Sequence, residues 1–171
     1  IENKNQLFSL DVLSLLPANF KLILAGPLKE ENKDYFQLIL KKIDDLNLHD
    51  RVDLQVGFIE NFDEYLKCSD IFLFPSKSEG LGTPILESLA CGVPVVSNHI
   101  KEVTDTFIKN NENGYYLNLD EKKWAKIIPK VLGIPHEVLV NNAKYIISKS
   151  SSQVIDEEYF NRIKNLISSE S

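Results

Sequence analysis

The sequence predicts an α/β fold, a doubly wound parallel sheet flanked by helices. Three observations carry that prediction. Short, nearly continuous apolar runs rich in Val, Ile, Leu and Phe recur along the chain, as in strands covered on both faces. Between them lie segments whose apolar residues return at three- and four-residue spacing, the period of a helix with one buried stripe. The two kinds of segment alternate, which is the order of a parallel sheet with crossover helices.

The 171-residue chain opens on a helical pattern, NQLFSLDVLSLL (5–16), and passes into a strand, FKLILAG (20–26). DYFQLILKKIDDLNL (34–48) is helical and leads to VDLQVG (52–57). A short helix in FDEYLKC (62–68) precedes the strand DIFLFPS (70–76), and TPILESLA (83–90) connects that strand to VPVVSN (93–98). GYYLNL (114–119) reads as a last strand, after which EKKWAKIIPKVLG, PHEVLVNNAKYIISKS and VIDEEYFNRIKNLISS are helical, so that residues 135–171 form a C-terminal helical segment. The serine-rich SKSSS (148–152) is short enough for a helix junction. A sheet of this kind normally opens on a strand, so a first strand is expected ahead of Ile1. The chain contains no methionine, and we expect it to be a piece of a longer polypeptide.

A net charge of −6 leaves no global basic field for nucleic acid or an anionic membrane surface. No run of apolar residues approaches the length of a membrane-spanning helix. Cys68 and Cys91 make neither a metal-ligand spacing nor a disulfide framework, and a cytoplasmic location is expected. Any anion bound here has to be held locally.

The stretch FPSKSEGLGTPILESLACGVPVVS, residues 74–97, holds the candidate site. Ligands of doubly wound sheets bind beyond the carboxyl ends of the strands. Pro75 stops the strand ladder, so SKSEGLG falls at that edge. Gly80 and Gly82 allow positive φ and close approach of a ligand to the backbone. Thr83 is expected to cap the following helix, with Pro84 at its first position. Such a helix start offers unpaired amides and partial positive charge to a phosphate without a metal. Glu87 lies one turn inside and does not complete a capping box. Its carboxylate can accept two hydroxyl hydrogen bonds from a vicinal diol such as ribose. Glycine-rich turns and early glutamates also occur on ordinary helices, where the macrodipole alone favours them.

From Pro75 to Val96 the chain reads P-S-x-x-E-G-x-G-x-x-x-L-E-S-x-A-x-G-x-P-V-V, a pattern that resembles the signature of retaining glycosyltransferase family 4, a group of GT-B enzymes that use nucleotide sugars. The similarity extends upstream through LILAGP, RVDLQVGFI and YLKCSDIFLFPS, and downstream through KEV and NENGYYLN. It is weakest after about residue 120.

The resemblance implies the Rossmann-like, carboxyl-terminal donor-binding half of a two-domain enzyme, with the acceptor-binding amino-terminal domain outside residues 1–171. It implies that Glu79 bonds hydroxyls of the donor sugar as the catalytic, positioning carboxylate, and that Glu87 holds the ribose. Gly80, Leu81, Gly82 and Thr83 would present backbone to the diphosphate, while Gly57 and Phe58 would border the nucleobase. The family carries an arginine followed by a lysine directed at the diphosphate. Lys4, in ENKNQ, matches the lysine, and the arginine would precede Ile1.

Many relatives have a glycine pair after the VVSN strand, where this chain reads Asn98-His99-Ile100; His99 is either a donor contact or a surface residue. His49 and His136 need no functional reading. Cys91 is expected to be a small buried residue, and Trp124 a core residue.

The implied function is transfer of a hexose-type sugar from a nucleotide diphosphate sugar to a glycan or lipid-linked acceptor. It would use no metal or other cofactor and would take place at the cytoplasmic face of a membrane. The isolated piece is expected to be inactive. A nucleotide-sugar epimerase of the same architecture and a non-catalytic donor-domain-like binding module are the alternatives. A glycoside hydrolase fits badly, since its two carboxylates must flank one glycosidic bond and have no use for a phosphate-ready helix start.

Overall fold

The computed structural model describes residues 1–150. Five parallel strands, β1 (Leu22–Gly26), β2 (Val52–Val56), β3 (Phe72–Phe74), β4 (Val95–Asn98) and β5 (Gly114–Leu117), alternate with seven helices. These are α1 (Gln6–Leu15), α2 (Lys33–Asp45), α3 (Phe62–Lys67), α4 (Thr83–Ala90), α5 (Thr104–Phe107), α6 (Glu121–Val131) and α7 (His136–Ser150). Every helix and strand expected within these residues is present. The four-residue α5 and the 3-10 turns at Glu2–Lys4 and Glu30–Asn32 were not foreseen, being too short to show a period. The expected helix VIDEEYFNRIKNLISS lies outside the described residues. The first part of SKSSS is the end of α7 rather than a junction.

The strands form two sheets. One is β1-β2, with Leu22 opposite Val52 and Gly26 opposite Val56. The other is β3-β4-β5, with Phe72 opposite Val95 and Val95 opposite Gly114. Alternation along β4 shows why helices cover both faces of the second sheet. Val96 points into a cluster with Phe8, Val12, Trp124, Ile128 and Val131, which ties α1 and α6 to one face. Its neighbour Val95 points the other way, into a cluster with Phe74, Ile85, Leu89, Ile108 and Ile146 that ties down α4 and α7. A third cluster of Leu10, Leu13, Ile39, Ile43 and Leu48 seats α1 and α2 on β1 and β2.

Burial on both faces, expected of the first four strands, is found only in β4. β1 alternates between half-buried and exposed residues, and Ile23 is 41% exposed. The cause is the break between the sheets, which leaves β1 with β2 as its only strand neighbour among the described residues.

Trp124 is the core residue its amphipathic helix predicts: its ring meets Phe8 edge-on at 5.0 Å, and Nε1 donates to the Asn118 carbonyl at 3.1 Å. Cys91 departs from expectation, being half-buried, with partial burial pushing its thiol pKa up. His49 is an exposed residue near Asp44, and His136 begins α7.

Candidate functional site

Because all strands of each sheet run the same way, their carboxyl ends share one edge, and the loops leaving that edge carry the candidate residues. β3 ends at Phe74, and Pro75 and Ser76 continue as buried loop before the turn that starts α4. The cap of α4 is Gly82 rather than Thr83: Gly82 lies in the left-handed region at φ 71°, and the helix begins at Thr83 with Pro84 second. Of the two glycines expected to need positive φ, only Gly82 has it. A close approach fixes this choice as well, since a Cβ on Gly82 would lie 2.7 Å from Cγ1 of Val103 in the turn after β4. We expect Gly82→Ala to cost about 1–3 kcal/mol through strain and crowding. Urea denaturation of the purified chain checks it.

None of the amides of Gly80, Leu81, Gly82 and Thr83 donates to another described residue, whereas the Ile85 amide is spent on the Gly82 carbonyl at 2.9 Å and Pro84 has no N–H. Gly80, Leu81 and Thr83 are exposed, Leu81 by 68%, while Gly82 is buried. Four amides in a row without a partner among the described residues, at the positive end of a helix, are suited to an anion.

Glu79 and Lys4, assigned separately to sugar and phosphate, are joined. The Lys4 ammonium donates to the Glu79 carboxylate, and the Glu79 side chain is only 15% exposed. Lys4 also sits over the Phe74 ring, 5.4 Å from its centroid. The 3-10 turn that carries Lys4 is fastened to the loop after β3 along its length. Asn3 Nδ2 donates to the Ser78 carbonyl at 2.8 Å, Ser78 Oγ to Asn3 Oδ1 at 3.0 Å, and the Lys77 amide to the Asn3 carbonyl at 2.9 Å. Lys77 Nζ reaches Glu2 at 2.9 Å.

Glu87 is the opposite case. It is exposed on α4 about 6 Å along the helix from Thr83, and it makes no ion pair or side-chain hydrogen bond among the described residues. With Gly82 as cap, the third helical position is Ile85, so Glu87 again takes no part in a capping box.

Gly57 follows β2, with its amide held by the Gly26 carbonyl at 3.1 Å, and the Phe58 ring beyond it is 83% exposed. His99 follows β4 at the same edge, stacked on Tyr116 with centroids 5.1 Å apart and Nε2 3.7 Å from Asp105.

The supporting layer is what sequence reasoning missed. Asn98 Nδ2 donates to the Ser76 carbonyl at 2.9 Å, and Ser97 Oγ to the carbonyls of Asn98 at 2.8 Å and Phe74 at 3.3 Å, tying the ends of β3 and β4 together. Asn3 and Ser78 are 75 residues apart, a pairing with no local signal. No group of three or more His, Cys, Asp or Glu among the described residues could hold a metal ion, and no described helix is long and apolar enough to cross a membrane.

Parallel strands, helices on both faces and loops gathered at the carboxyl edge define a Rossmann-like α/β domain of the GT-B type. The chain belongs to the family described as glycosyl transferases group 1, whose model matches residues 1–151. It is 28% identical over 166 residues to the capsular polysaccharide biosynthesis glycosyltransferase CapH of Staphylococcus aureus, a match that covers 95% of this chain and 46% of CapH. The chain thus spans about half the length of that relative. Its fold is that of Anabaena Alr3699/HepE, solved in complex with UDP, with a TM-score of 0.88 at 20% identity over 96% of this chain and 46% of that one. HepE has also been solved with UDP-glucose. The C-terminal domain of the group 1 glycosyl transferase LpcC of Francisella tularensis shares the fold at a TM-score of 0.71 and 16% identity, over 88% of this chain and 80% of that one.

Proposed function

We propose that this chain is the carboxyl-terminal, donor-binding half of a retaining glycosyltransferase that moves a hexose-type sugar from a nucleoside diphosphate sugar to a glycan or lipid-linked acceptor at the cytoplasmic face of a membrane. The observation that carries the proposal is the run of four unpaired amides, Gly80 to Thr83, at the start of a helix with the free carboxylate of Glu87 one turn inside. Phosphates resting on the amides leave the attached ribose within reach of Glu87, and the exposed Phe58 ring beside Gly57 gives a nucleobase a face to stack on. The complexes of HepE with UDP and UDP-glucose, and the role of CapH in capsular polysaccharide synthesis, support the same reading.

In the transfer step negative charge accumulates on the departing diphosphate, and donors already aimed at that position stabilise it without reorganisation. The four amides do so through the backbone, and Lys4 through its ammonium. Lys4 arrives paired with Glu79, so donor binding exchanges one anionic partner of the lysine for another and frees Glu79 to accept hydroxyl hydrogen bonds from the sugar. Glu79 therefore orients the sugar and is not a base. The acceptor half of the cleft belongs to the rest of the enzyme, and the domain alone is expected to transfer nothing.

Calorimetry with UDP on the longer enzyme tests the ribose assignment. Hydrogen bonds to a charged acceptor are worth about 1.5–3 kcal/mol, so Glu87→Ala is expected to raise Kd by roughly 10- to 100-fold. An unchanged Kd would remove Glu87 from the nucleotide site.

A further inference from the structure

The loop that carries Glu79 hangs between two fixed points. On the sheet side Ser76 is held through its carbonyl, which accepts from Asn98 Nδ2 at 2.9 Å. On the helix side Gly82 caps α4 and is packed close to Val103. Between them, every hydrogen bond that Lys77, Ser78 and Glu79 make among the described residues, from backbone or side chain, goes to Glu2, Asn3 or Lys4. The two segments run in step: Glu2 meets Lys77, Asn3 meets Ser78 and Lys4 meets Glu79.

These three partnerships contribute unequally. Lys77 and Glu2 are exposed, and a solvated ion pair of that kind holds little. Lys4–Glu79 is the pair that donor binding opens, because the phosphates draw the lysine away. Asn3 is what remains. Its Nδ2 donates to the Ser78 carbonyl, its Oδ1 accepts from the Ser78 hydroxyl, and its backbone carbonyl accepts from the Lys77 amide. One residue therefore closes three hydrogen bonds on two loop neighbours. The turn that carries Asn3 is fixed independently of them: Asn5 ends it in the left-handed region at φ 55°, and α1 follows at once and buries Phe8, Leu10, Val12 and Leu13. Lys4 keeps its place on this anchored turn with or without the seam, whereas Glu79 depends on it.

We propose, resting on the donor-site reading, that Asn3 and Ser78 are positioning residues for sugar transfer. They hold the Glu79 loop against the Lys4 turn once the donor has separated Lys4 from Glu79, and so keep the carboxylate on the sugar hydroxyls. Both act through Glu79 rather than on the donor.

The test is a double-mutant cycle in the longer enzyme, with kcat and the Kd for UDP measured for Asn3→Ala, Glu79→Ala and the two combined. Asn3→Ala is expected to lower kcat about tenfold, to leave the Kd for UDP within about twofold, and to have no further effect once Glu79 is replaced. Ser78 gives a second cycle at an exposed position, where folding is not at stake. Ser78→Ala, which retains the Ser78 carbonyl, is expected to lower kcat about threefold, and Ser78→Thr, which retains the hydroxyl, to stay within about twofold of the parent. Three results overturn the proposal and leave the donor-site reading standing: parental kcat in Asn3→Ala, a loss that adds in full to that of Glu79→Ala, or a loss confined to the Kd for UDP. Equal losses in Ser78→Ala and Ser78→Thr overturn it as well. Unimpaired kcat in Glu79→Ala overturns this proposal together with the assignment of Glu79 to the sugar, while the affinity of Glu87→Ala for UDP tests the nucleotide site separately.

Discussion

Glu79→Ala in the longer enzyme is expected to lower kcat about a hundredfold, with the Kd for UDP changed by less than about threefold. The reason lies in the contrast between the two glutamates. Glu79 is 15% exposed and already engaged with Lys4, so its carboxylate is held in place before the donor arrives. A preorganised acceptor of this kind contributes most when sugar hydroxyls must be held as the ring changes shape, at about 1.5–3 kcal/mol for charge-assisted hydrogen bonds. Nucleoside diphosphate carries no sugar at that position, so its affinity is spared, and the released Lys4 remains available to phosphate. Steady-state transfer kinetics beside calorimetry separate the two effects. A variant with unimpaired kcat, or one whose loss lies entirely in UDP affinity, would move Glu79 out of the sugar subsite.

Gly114→Ala should be the most damaging single methyl in the described fold. Gly114 opens β5 opposite Val95, and a Cβ there would stand 2.0 Å from the Val95 carbonyl oxygen, a backbone atom in a fully buried central strand that has no room to retreat. Relief requires separating β5 from β4. That separation would also strain Asn113, whose carbonyl accepts the Val95 amide at 3.1 Å and whose buried side chain bonds the Lys109 amide at 2.7 Å, the Phe107 carbonyl at 3.0 Å and Asn142 at 2.9 Å. Strain and overpacking together come to about 3 kcal/mol or more. For a chain of this size that lowers the melting temperature by roughly 6–12 °C. Gly80→Ala, which meets nothing within 4 Å, is the control for differential scanning calorimetry. Equal midpoints for the two variants would mean that β5 is not held against β4 as described.

Periodicity alone located the helices and strands because each long segment has one environment. α2 shows its stripe through Ile39 and Ile43, and β4 its continuous burial through Val95 and Val96. What periodicity could not locate was the break in the sheet, since apolar residues lining a slot read the same as apolar residues packed in a core: Ile23 and Leu73 are indistinguishable in sequence from Val95. The glycine turn placed the candidate site at the carboxyl edge. The cap moved by one residue because the close packing of Gly82 on Val103, which helps hold the left-handed cap there, joins segments about twenty residues apart, and local capping preference cannot register that. The Lys4–Glu79 pair was illegible for the same reason. Each residue had a reading of its own, and only the seam of Asn3, Lys77 and Ser78 brings them together.

The single tryptophan has a practical consequence. Trp124 is fully buried against Phe8 where α1 and α6 meet, with its indole N–H committed to Asn118. Its emission is therefore expected to be blue-shifted in the native protein and to move to longer wavelength when the α1–α6 junction opens. The chain carries its own optical gauge of global integrity, one that reads unfolding at a place none of the amides of the Gly80–Thr83 turn touches.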